Sequence, residues 1–205
     1  MKKTFGQIEA ELRAKAAKSK YVGRGGLKLE HALKEFQIDP TDKICLDVGA
    51  STGGFTDCLL QHNAKKVYAV DVGYGQLAWK LRQNKKIVVL ERQNIRHISK
   101  KELPEPIALA VIDVSFISLK NIFPALAPFL SPAAKIVALI KPQFEVAKKE
   151  VEAGGLVTDP LLHKRVIEEI IDAGGKEHWA FKATTPSPIL GADGNREFLI
   201  LFEGH

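Results

Sequence analysis

Apolar residues recur along this chain with two alternating periods. Short runs at 43–49, 66–72, 87–91, 107–113, 134–140, 178–184 and 196–203 read as strands. Residues 53–62, 75–83, 119–130 and 158–173 carry apolar positions at helical spacing. A further helix is expected over 27–36, where Leu29, Leu33 and Phe36 share a face. Arg24-Gly25-Gly26 breaks the pattern before it, and Asp39-Pro40 ends it. Strands alternating with helices predict an α/β fold: a Rossmann-like, doubly wound, mostly parallel seven-stranded sheet. Only a Pro- and Gly-containing connection, 186–194, separates the last two strand patterns, which fits an antiparallel pair at one edge. Gly154-Gly155, following Lys148-Lys149-Glu150, reads as a mobile loop beside the binding rim.

Ligands in such sheets bind beyond the carboxyl ends of the strands, where the strand order switches. There the chain reads Ile44-Cys45-Leu46-Asp47-Val48-Gly49-Ala50-Ser51-Thr52-Gly53-Gly54-Phe55, an apolar run entering a glycine-rich turn. Ser51 stands where the dinucleotide fingerprint has the glycine that admits a pyrophosphate, so the pattern argues against NAD. S-adenosylmethionine, with a ribose and an adenine but no phosphate, is the expected ligand. Asp71 ends the next strand 22 residues after Gly49, placed to accept from ribose hydroxyls. Glu91, Gln93 and Asn94 end the third strand pattern, where an amide could read the adenine edge. Asp47 is expected to orient the turn or to meet the ligand's ammonium group. The expected cofactor set is Asp47, Gly49, Ser51, Gly53, Gly54, Phe55, Asp71, Val72, Asn94 and Asp113.

Asp113 and Lys141 each end a strand that is apolar on both faces, so each is the first polar position at its tip. Glu197 heads the last strand, and an antiparallel course would bring it back to the same rim. Lysines held by carboxylates at one rim suit a weakly acidic hydroxyl: they orient it and stabilise the developing alkoxide, or take its proton. By position alone, Lys28 reads as an exposed helix lysine. Base methylation fits less well, because no N/D-P-P-Y-like loop follows the fourth strand. Cys45 and Cys58 lie in element patterns rather than at strand tips, as buried thiols of a reducing compartment.

The chain has 205 residues, 30 Lys and Arg against 24 Asp and Glu, and a net charge of +6. Residues 1–35 hold nine of the basic residues and only four glutamates, so nearly all of the excess is N-terminal. A basic leader suits a polyanion such as RNA, with Arg13, Lys15, Lys18, Lys20, Arg24 and Lys28 as expected contacts. The alternative is a solvated Ala-rich helix with ordinary surface lysines. The histidines form no metal-binding spacing, and no apolar run has the length of a membrane span. The expectation is therefore a cytoplasmic protein with no metal and no membrane partner; nothing specifies an oligomeric state.

Tyr21-Val22-Gly23-Arg24-Gly25-Gly26-Leu27-Lys28-Leu29, the 47–55 turn and Asp113-Val114-Ser115-Phe116-Ile117-Ser118-Leu119 form an ordered series. Lys141-Pro142-Gln143-Phe144-Glu145 and Asn195-Arg196-Glu197-Phe198 complete it. In this the chain resembles the hemolysin-A-like (TlyA) RNA methyltransferases, relatives of the FtsJ ribose 2′-O-methyltransferases. The resemblance implies a catalytic tetrad at Lys28, Asp113, Lys141 and Glu197. It also implies S-adenosylmethionine as methyl donor, and ribosomal RNA or a ribosomal subunit as partner, methylated at a cytidine ribose. It assigns 23–203 to the methyltransferase domain. It leaves 1–22 as a basic helix or linker, the remnant of a connection to the S4-type domain that such proteins usually carry. Gly204 and His205 read as tag residues. Two other readings are a catalytically idle RNA- or nucleotide-binding module, which donor-dependent labelling of RNA would exclude, and a membrane-active hemolysin.

Overall fold

The structure is a computed structural model and describes residues 20–204. Arg13, Lys15, Lys18 and His205 lie outside the described residues. The strands are β1 (Ile44–Val48), β2 (Lys66–Asp71), β3 (Ile87–Glu91), β4 (Ile107–Ile112), β5 (Leu130–Ile140), β6 (Ala180–Pro186) and β7 (Phe198–Glu203). They form one seven-stranded sheet in the order β3-β2-β1-β4-β5-β7-β6. The first five run parallel; β7 lies antiparallel between β5 and β6, at the edge where the short connection predicted a reversal.

Both faces of the sheet are covered, as a parallel sheet requires. Alternate residues of β4 divide between the two cores. Leu109 and Val111 pack with Leu29, Leu33, Phe55, Cys58 and Leu59 on one face. Ala110 and Ile112 pack with Phe123, Val166, Ile170, Trp179 and Phe202 on the other. The first face is covered by α1 (Gly25–Glu35) and α2 (Gly54–Gln61), and the second by α5 (Pro160–Lys176). Asp159 caps α5, accepting a hydrogen bond from the Leu161 N–H at 2.8 Å.

Three elements differ from the sequence pattern. Gly25-Gly26 is the first turn of α1 rather than a break before it, because Tyr21 lies against Gly26: a Cβ there would sit 2.3 Å from the ring. The 75–83 pattern forms only the one-turn helix α3 (Trp79–Arg82). Leu77 and Leu81 are buried, but Gly73 and Gly75 precede them in irregular chain. The 119–130 pattern is broken into 3-10 turns at Leu119–Asn121 and Ala127–Phe129 around the short α4 (Phe123–Leu126). Pro124 and Pro128 lack the N–H that a continuous helix needs.

Candidate active site

The order β2-β1-β4-β5 puts the switch in chain direction between β1 and β4. Their tips touch at Gly49, whose φ is +87° and where a Cβ would lie 2.3 Å from the Asp113 carbonyl oxygen. Only glycine satisfies both demands. Two cavities open at this contact, and Gly49, Ser51 and Asp113 line both.

One cavity, about 320 Å³, has apolar walls from Val48, Val70, Ile95, Ile117 and Ile122, with Gln76, Gln93 and Asn94 at its polar edge. No Lys, Arg or His lines it, whereas Asp71 and Asp113 do. Asp71 accepts from the Ser51 N–H and the Gly73 N–H, both at 2.7 Å, so it ties the turns after β1 and β2 together. Its remaining lone pairs are free to accept from a ligand's hydroxyls. This lining fits an adenosine-like ligand that carries positive charge and no phosphate. S-adenosylmethionine meets those terms, and a dinucleotide does not.

The other cavity, about 300 Å³, is lined by Arg24, Lys28, Lys141, Asp113 and Glu197, with Thr52 and Phe55 along the glycine turn. All four residues of the expected tetrad therefore share one chamber. Lys28 is the surprise, since its position on the helix suggested exposure. It is 7% exposed and forms an ion pair with Glu197, itself 3% exposed. Helix α1 delivers the lysine, and the antiparallel β7 returns Glu197 to the rim beside Lys141, because Phe198 pairs with Ile140. Lys141 Nζ lies 2.6 Å from Asp113 Oδ1 and donates to Ser115 Oγ at 2.9 Å. The chamber thus holds two ion pairs and one further cation, Arg24.

Other expected residues lie near these walls but not on them. Asp47 is fully buried beneath the turn, where Thr56 Oγ1 donates to its Oδ2 at 2.6 Å; its Oδ1 is enclosed without a hydrogen-bond partner. It lines neither cavity, and of its two expected roles this geometry serves the first, orienting the turn. Gly53 faces Leu77 and Leu81. Glu91 braces the 75–77 segment through Arg82 and the N–H groups of Gly75 and Leu77. Lys20 pairs with Glu30 at the surface. Cys45 and Cys58 are buried and free, and burial pushes both thiols up to about 12, so neither is nucleophilic at neutral pH.

Burial, reinforced by the charges of Asp113 and Asp71, pushes Asp47 up to about 7 against the opposing effect of its bond to Thr56. A raised carboxyl stabilises the fold fully below its unfolded value, and that contribution is lost as the pH rises through 7. The Asp47→Asn variant has no such titration. Its stability relative to the parent is expected to climb between pH 4 and 7, by on the order of a few kcal/mol, and then level off. Urea denaturation at pH 5 and pH 8 measures this; parallel pH profiles would contradict it.

Phe116 was not singled out by the sequence as a site residue. It lines the first cavity, is 90% exposed, takes a left-handed backbone (φ +63°) and packs on Phe144 with ring centroids 5.0 Å apart. An apolar residue in a loop carries no periodic signal that would have marked it.

Among the described residues no group of His, Cys, Asp and Glu could hold a metal ion, and no helix is long and apolar enough to cross a membrane. Residues 21–203 match the family model described as FtsJ-like methyltransferase, and the fold is that of S-adenosylmethionine-dependent methyltransferases. The YqxC protein of Bacillus subtilis, whose name offers it as a candidate rRNA methyltransferase, is 52% identical over 185 residues. That match covers 88% of this chain and 65% of YqxC, so the chain spans just under two thirds of that relative. The 16S/23S rRNA (cytidine-2′-O)-methyltransferase TlyA of Mycobacterium tuberculosis is 45% identical over 180 residues, 88% of this chain and 67% of TlyA. The solved structure of a candidate hemolysin from Lactococcus lactis superposes with a TM-score of 0.89 at 46% identity, covering 92% of this chain and 90% of that one.

Proposed function

Because the chain belongs to the FtsJ-like methyltransferase family, we propose that it transfers a methyl group from S-adenosylmethionine to a ribose 2′-hydroxyl of ribosomal RNA, at a cytidine. The observation that carries this reading is the contrast between two cavities that share Asp113. One has only carboxylates as charged lining; the other adds Arg24, Lys28 and Lys141. The first suits a cationic, phosphate-free donor, and the second a polyanionic acceptor.

When bound, S-adenosylmethionine supplies a methyl group already activated by its sulfonium. The chain's task is then to align an oxygen with that methyl and to manage one proton. Asp71 receives the donor's ribose hydroxyls, while Gln93 and Asn94 border the adenine. Lys141, steered by Asp113 and Ser115, directs its ammonium to the acceptor oxygen and stabilises the charge that develops there. Asp113 stands at the junction of the cavities as the carboxylate that draws the hydroxyl proton. Lys28 and Glu197 close the far wall and hold the ribose against it. Arg24 meets an adjacent phosphate. The free face of Phe116 offers an unpaired base a stacking surface at the mouth.

An rRNA substrate assigns the protein to the cytoplasm. The word hemolysin describes the Lactococcus protein; for this chain, no feature of the described residues supports a lytic activity.

Two measurements test the proposal. Calorimetric titration should give selective 1:1 binding of S-adenosylmethionine over NAD. Incubating ribosomal subunits with methyl-labelled donor, followed by nucleoside digestion, should place the label in 2′-O-methylcytidine. Donor binding without any transfer to rRNA would favour the idle binding module.

A further inference from the structure

The segments leaving β4 and β5 meet at three successive points. Lys141 reaches Asp113 and Ser115. Phe144 packs on Phe116. Glu145 accepts from Ser118 Oγ at 2.5 Å and from the Leu119 N–H at 2.8 Å. The first contact belongs to the proposed chemistry and the second lies at its mouth. The third lies just behind the donor cavity: Ile117 and Phe116 line that cavity, whereas Glu145 and Ser118 line neither.

Glu145 is chemically unusual. It is half-buried, and its hydrogen bonds come from neutral donors, Ser118 and Leu119, with the charge of Lys120 acting on it only from outside ion-pair distance. Burial pushes its pKa up. A carboxylate with neutral partners is expensive to bury, and such a group persists when its acceptors are needed in place. The strained backbone of Phe116 gives the need. A bulky residue at φ +63° stays there only when its surroundings fix it from both sides. Asp113 and Ser115 are fixed on one side by Lys141, and Ser118 and Leu119 on the other by Glu145.

We infer that Glu145 is a positioning residue: by drawing Ser118 and Leu119 onto the tip of β5, it holds the 113–119 loop in the one course that lets Lys141 meet Asp113 and Ser115 together. Its effect on turnover rests on the methyltransferase reading, whereas its effect on the loop does not. A glutamine retains the contact in altered form, accepting from the Leu119 N–H through Oε1 and donating to Ser118 Oγ through Nε2. An alanine removes it.

The test compares Glu145→Ala and Glu145→Gln, well below their unfolding temperatures, in methyl transfer to rRNA and in hydrogen exchange of the amides of residues 114–119. In the alanine variant kcat is expected to fall about ten- to a hundredfold, the loss typical of an ångström-scale misplacement. The KM for RNA should rise by less than kcat falls, because Arg24 and Lys28 are untouched and only the stacking face of Phe116 moves with the loop. Exchange at 114–119 should accelerate while that of β4 stays unchanged. The glutamine variant should restore both kcat and protection to near parental values. Parental exchange in the alanine variant would overturn the inference, as would a glutamine variant as impaired as alanine. If the parent itself transfers no methyl group to rRNA, that failure belongs to the proposed function, and the exchange comparison still decides whether Glu145 holds the loop.

Discussion

Replacing Lys141 by alanine is expected to lower methyl transfer by on the order of 10²–10⁴-fold while leaving S-adenosylmethionine affinity nearly intact. The separation follows from the walls. Lys141 lines only the chamber that holds the two ion pairs, and no atom of it lines the cavity with Asp71 and Asn94. Its ammonium is the group steered by Asp113 at 2.6 Å and Ser115 at 2.9 Å, a geometry that aims a cation at one point. Its loss therefore removes stabilisation of a charge that exists only during the reaction, and kcat should fall with little change in either KM. Calorimetry with the donor and a single-turnover assay on the same preparation check both halves. Unchanged turnover would remove Lys141 from the mechanism; lost donor binding would show that the two cavities act as one.

The second large effect concerns Lys28 and Glu197. Glu197→Ala leaves a buried ammonium without its carboxylate and is expected to destabilise the fold by about 3–5 kcal/mol, besides abolishing transfer. Replacing both partners, as Lys28→Met with Glu197→Leu, removes the unpaired charge and should recover most of that stability. It should recover none of the activity. The pairing of outcomes discriminates between roles: an active double variant would make the ion pair a structural strut, and a stable but inactive one would make it part of the chemistry. Urea denaturation and transfer assays on both variants decide.

The sequence made three of these four residues legible for a simple reason. Asp113 and Lys141 directly follow the apolar ends of β4 and β5, and Glu197 directly precedes β7, so each is the first polar group at a sheet rim. Lys28 is different. Its partner lies 169 positions away, and no local period records a contact of that range, so the helix pattern alone left it exposed. The glycine pair before it misled for a related reason: Gly26 makes room for Tyr21, a tertiary demand that reads locally as a break. The strands were visible because burial on both faces forces continuous apolar runs. The short α3 and the broken 119–129 segment were not, because a helical period persists where Gly and Pro deny the helix its backbone bonds. Phe116 and Gln76 lie on irregular chain, where position follows from neighbouring loops rather than from any period.

The place of β7 between β5 and β6 sets an order of events for the chain while it is being made. Glu197 and the strand that follows it are the last part of the described fold to be synthesised, yet β7 fills a slot inside the sheet and Glu197 completes a chamber begun by Lys28. Until residues 198–203 emerge and insert, the nascent chain can shape its donor cavity from β1, β2 and β4, but the acceptor chamber lacks a wall. Long-range closure of this kind is slow relative to the local pairing that precedes it. A nascent chain would therefore shape its donor cavity before its acceptor chamber, and activity would begin only once β7 has inserted.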